Sequence, residues 1–118
     1  MAALIVLGAV AFPVLARSAP RTRSIELAIT PPNGATPRVI VPDGEGAIIR
    51  LPDRTRYGFV PTIRDGKNGA VVVIAIWAVD EVPNRRLGEV EAATGGPVVT
   101  SDTAPRFSIR VVRVIAPK

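Results

Sequence analysis

Residues 70–79 read Ala-Val-Val-Val-Ile-Ala-Ile-Trp-Ala-Val, and no longer apolar run follows residue 24. Val and Ile suit a pleated surface, and ten residues between turn signals is strand length. The stretch is therefore expected to be a central strand buried on both faces around Trp77. Just before it, Asp65-Gly66-Lys67-Asn68-Gly69 has the residues of a hairpin loop. A partner strand must lie on its other side. Residues 56–64 supply one, with Tyr57, Phe59 and Ile63 to one face. Pro61 lacks an N–H, so this strand is expected at an edge or with a bulge.

Working outward, the same grammar repeats about every ten residues. Residues 24–30 alternate, with Ile25, Leu27 and Ile29 on one side, and end in Pro31-Pro32-Asn33-Gly34. Short strands follow at 38–41 and 47–51, closed by Pro42 and Pro52. Beyond the central run come strands at 87–92, weakly at 98–101, and at 107–115. In the last the apolar phase slips between Val111 and Val112, as a bulge would make it. The fold expected is all-β: a small immunoglobulin-like β-sandwich of seven or eight antiparallel strands over residues 25–118, with a small barrel as the alternative.

The N-terminal part is different. Ala2 to Ala16 carries no charged side chain, and Arg17, Arg21 and Arg23 follow in a Pro-containing linker, residues 17–24. Three readings fit the run: a cleaved secretory signal, an uncleaved anchor, or a buried element of the domain. As a helix, fifteen residues span about 23 Å at 1.5 Å each, short of a hydrocarbon core of ~30 Å. A snorkelling Arg17 and local thinning close that gap. Gly8 and Pro13 weaken a helix in water but are tolerated in membranes. The expectation is a short N-terminal membrane helix over residues 1–16, with Arg17, Arg21 and Arg23 at the headgroups. Charge on the C-terminal side alone argues for a cytoplasmic domain. Short apolar N-termini ahead of β domains more often serve export, and the periplasmic side is preferred.

Composition narrows function. The formal net charge is +5, and the three linker arginines supply +3, leaving +2 for residues 24–118. The basic collar fits an anionic lipid surface better than a duplex. There is no Cys, hence no disulfide or thiolate site, and no His, hence no imidazole base or metal ligand. Asp80 with Glu81, and Glu89 with Glu91, resemble acid/base pairs only in spacing. Neighbours on one strand face point in parallel instead of facing across a bond. Lys67 sits where a calcium loop in residues 65–69 would need an oxygen ligand.

Arg54 and Arg56 beside Tyr57, and Arg106, Arg110 and Arg113 near Phe107, are the basic groups with aromatic neighbours. They suit an acidic protein surface or headgroup better than nucleic acid, because only five aromatic residues exist in the chain. The expectation is a non-catalytic accessory subunit of a membrane assembly, such as a respiratory or photosynthetic complex. It would contact other subunits through Arg54, Arg56, Tyr57, Pro61 and Arg110, and lipid through residues 1–23. No cofactor, metal, small-molecule substrate or nucleic acid is expected. The alternative is a secreted or surface module that binds protein or carbohydrate.

Overall fold

The computed structural model describes residues 4–7, 22–32, 35–102 and 105–117, the first four by their backbone alone. They form nine strands: β1 (Leu4–Leu7), β2 (Ser24–Thr30), β3 (Arg38–Pro42), β4 (Ala47–Arg50), β5 (Arg56–Gly66), β6 (Gly69–Ala78), β7 (Arg85–Ala93), β8 (Val99–Thr100) and β9 (Ser108–Ile115). Two antiparallel sheets of four strands, β4-β5-β6-β7 and β3-β2-β9-β8, face each other, and β1 extends the first beyond β4. Among the described residues there is no helix, and so none long and apolar enough to cross a membrane. Within the run expected to be a membrane helix, Leu4–Leu7 are extended and pair with β4. The rest of residues 1–16, with Arg17 and Arg21, lies outside the described residues.

The eight strands expected after residue 24 are all present. Their order in space is a meander: chain neighbours are spatial neighbours, and β9 returns beside β2. An immunoglobulin sandwich has Greek-key connections instead. Strand number and spacing are common to both arrangements, so the sequence pattern did not separate them.

Alternation builds the core. Ile25, Leu27 and Ile29 of β2, Ile49 of β4, Phe59 of β5, Val72 and Ile74 of β6, and Ile109 and Val111 of β9 are wholly buried between the sheets. Phe107, just before β9, is fully buried, edge-on to Phe59 at 5.1 Å and to Tyr57 at 5.2 Å. Such pairs add about 0.5–1.5 kcal/mol beyond burial.

The phase slip in β9 is a bulge. Glu26 is opposite Arg113 while Leu27 is opposite Val111, leaving Val112 unpaired. Val114 thereby returns to the core side and Arg113 turns outward.

Two expectations are corrected. β5 is not an edge strand: it lies between β4 and β6, and Pro61 is fully buried in an unbroken register with β6. Pro61 is tolerated because β4 ends before reaching it. The side of β5 where the missing N–H would point faces the β3–β4 turn, where the Gly44 N–H donates to the Pro61 carbonyl at 2.8 Å. Trp77 is not a core residue. Val72, Ile74, Ile76 and Ala78 take the inner face of β6, and Trp77 is half-buried on the outer one beside a register shift.

Candidate contact surfaces

The chain enters at one end of the sandwich. There Arg23 donates to both oxygens of Asp65, at 3.2 and 3.0 Å, tying the linker to the β5–β6 hairpin. This contact holds the Asp65 carboxyl below its usual range, and it commits Arg23 to the sandwich. Asp43 in the β3–β4 turn accepts from the Ile63 N–H at 2.9 Å.

The other end gathers the β2–β3, β4–β5 and β8–β9 connections around a cleft of about 260 Å³, lined by Pro32, Leu51, Pro52, Asp53, Tyr57 and Pro105. Asp53 accepts from the Thr55 N–H at 2.9 Å, closing the β4–β5 turn and depressing its own pKa. Arg54 takes the left-handed conformation in that turn, at φ 75°, and is exposed. Arg56 is fixed by Asp80, which accepts from its backbone N–H at 2.9 Å and its Nε at 2.8 Å. The backbone contact, then the guanidinium, lowers the Asp80 pKa. Burial, with the negative charge of Asp53, Asp80 and Glu81, raises that of Tyr57, so its hydroxyl stays a donor across the neutral range.

Arg54, Arg56 and Tyr57 therefore share one end. Pro61 is inside the sheet and Arg110 is on the outer face of the other sheet, beside Ala28. The Arg110 side chain makes no hydrogen bond or ion pair among the described residues, and neither does that of Arg54, whose backbone N–H donates to the Leu51 carbonyl at 2.8 Å. The paired carboxylates of the sequence are spoken for by arginines: Glu81 by Arg85 at 2.9 Å, Glu89 by Arg86 and Glu91 by Arg64. The Asp65–Gly69 segment is the hairpin turn, with Gly69 at φ 109°.

Sequence reading missed Glu26. Its side chain is 12% exposed on the outer face of β2, where Arg113 donates at 2.7 Å and Arg38 at 3.5 Å. The Arg113 contact holds the carboxyl below the usual glutamate range. A lone acid at an outward position of an alternating strand was the available signal.

Among the described residues no group of three or more acidic side chains is placed to hold a metal ion. No protein-family model matches the chain, and no curated protein or solved structure does either.

Proposed function

We propose that the chain is a non-catalytic accessory subunit of a larger membrane protein assembly. On this reading residues 1–16 form the membrane helix and Arg17 and Arg21 meet the headgroups. Arg23, bound to Asp65, sets the angle of the sandwich to that collar. The two-layer domain, similar in size to an immunoglobulin domain, braces neighbouring subunits on the periplasmic side.

The observation that carries this reading is the separation of entry and contact end. The linker joins at the Asp65 end, while Tyr57, Arg54, Arg56 and the apolar cleft lie at the opposite one, pointing away from the tether. Tyr and Arg beside apolar surface are the side chains that anchor protein interfaces. Most carboxylates are engaged by arginines or backbone amides, which also supports a contact role.

The cleft also supports a second reading, a secreted or surface-exposed module that binds a protein or carbohydrate ligand after signal cleavage. One experiment separates the two. The native protein is extracted from membranes in mild detergent and analysed by native gel and intact mass. Co-migration with a large complex at about 12.4 kDa, with Met1 retained, fits the subunit. A free, lighter, detergent-independent protein starting after Ala16 excludes it.

A further inference from the structure

Sheet edges are templates for unwanted pairing, and three of the four edges formed by the eight strands after residue 23 are guarded. β7 carries Arg85, Arg86, Glu89 and Glu91 and a register shift against β6. β3 is bracketed by Pro37 and Pro42, and β8 is two residues long. β4 differs. Ala47-Ile48-Ile49-Arg50 has no proline, no bulge against either neighbour, and one charge at its last position. It is also rigidly held, by Gly44 N–H to the Pro61 carbonyl at one end and Leu51 N–H to the Thr55 carbonyl at the other. Along its outer side runs β1, antiparallel, with Leu4 opposite Arg50 and Leu7 opposite Ala47.

The residues that cover this edge belong to the apolar run that membrane attachment requires. Leu4–Leu7 cannot pair with β4 and cross a bilayer at once. We propose that the outer edge of β4 is a strand-acceptor site, and that an extended aliphatic segment of a neighbouring subunit adds there, antiparallel, when the N-terminal run is in lipid.

This rests on the reading that the domain works by contact. Backbone hydrogen bonds supply the affinity, and residues alternating along the added strand supply selectivity. Arg50 makes no ion pair among the described residues, so an acidic residue opposite it, where Leu4 now sits, favours the incoming strand. Because β1 belongs to the same chain, its effective concentration at this edge is about millimolar, so an outside strand loses the competition until β1 is withdrawn. Attachment to the membrane and recruitment of the partner strand are thereby coupled.

The test runs in detergent-free solution, so it judges the edge whether or not the membrane reading holds. A full chain with a protease site placed between Ala16 and Arg21 is folded and then cut, which frees β1 without a mutation in it. The probe is a fluorescent peptide of residues 2–9 carrying two added lysines for solubility, followed by anisotropy. Binding to the cut chain is expected, with binding to the uncut chain roughly tenfold or more weaker. A Leu4→Glu peptide should bind about twofold to fivefold tighter at low salt, a gain that Arg50→Ala abolishes. Hydrogen exchange checks the fold: β6 amides stay protected after cutting, while β4 amides open and are re-protected by peptide. Equal binding to cut and uncut chains, or uptake without re-protection of β4, overturns the proposal. Dimerisation of the cut chain in place of peptide uptake overturns it too, and gives the edge to a second copy.

Discussion

At the end where the chain enters, Arg23 grips Asp65 and Asp43 accepts from the Ile63 amide. At the far end, Arg56 grips Asp80 and Asp53 accepts from the Thr55 amide. The polar ties are nearly the same. What lies beneath them is not. Behind Asp80 and Asp53 stands Tyr57, packed on Phe107 and through it on Phe59, so the far end is continuous with the core. The entry end rests on aliphatic core instead, with Ile25, Val41 and Ile63 buried, and its Arg23–Asp65 side chains are 37% and 68% exposed against 45% and 40% for Arg56 and Asp80. Two regions with equal hydrogen-bond chemistry thus differ in what packs beneath them, aromatic rings at the far end and aliphatic side chains at the entry.

The sharpest way to break this comparison is Tyr57→Ala. Removing a half-buried ring from the Phe107 cluster should cost about 2–4 kcal/mol, read from urea unfolding. Tyr57→Phe keeps the ring and should stay within about 1 kcal/mol. If both variants unfold at the wild-type midpoint, the far end is not part of the core.

Next in size is Asp80→Ala, which deprives the Arg56 backbone N–H of its acceptor and should cost about 1 kcal/mol. Arg56→Ala should cost less, since Asp80 keeps the backbone contact. The reverse order would make the guanidinium the principal tie.

Acid acts on both ends and on the Glu26 clamp. Asp53, Asp65, Asp80 and Glu26 all have pKa values held below their ordinary range by hydrogen bonds. A carboxyl with a depressed folded pKa binds its proton more readily when unfolded. Each therefore stabilises the fold above about pH 4.5 and loses that contribution as pH falls through its folded value. Thermal melts should be level from neutral to about pH 5 and fall below it. Glu26→Gln should flatten part of that fall, and an unchanged profile would remove the Arg113 clamp from the account.

The smallest change is Arg23→Ala. Its urea midpoint should match wild type, while trypsin cleaves at Arg17 or Arg21 faster because the linker is no longer tied at Asp65. A large fall in the midpoint would make the entry end as integral as the far one.

The strands after residue 24 were legible because alternation, Asn-Gly and Asp-Gly turns and Pro stops all mark the same boundaries. Even the bulge was visible, since an extra residue shifts the apolar phase at Val112. Pro61 misled because a proline is excluded from a strand only on the side where a neighbour needs its N–H, and the length of β4 is not written in β5. Trp77 misled because an unbroken apolar run conceals which alternate set faces inward. The edges of β6 were readable and its two faces were not. The contact end was half legible: Arg54, Arg56 and Tyr57 are contiguous, but Asp80, which fixes Arg56, arrives from a distant loop. The connectivity was silent, since a meander and a Greek key use the same strands.

Consider finally the place of β2. The tether joins at Ser24, and β2 lies inside its sheet, registered with β3 on one side and β9 on the other. A pull transmitted through the linker runs along this strand and must slide it past both neighbours together. Hydrogen bonds loaded in that direction share the force, whereas a strand peeled from an edge gives them up one at a time. A load entering at Ser24 is thus taken up by an interior strand and shared between two partners from its first residue.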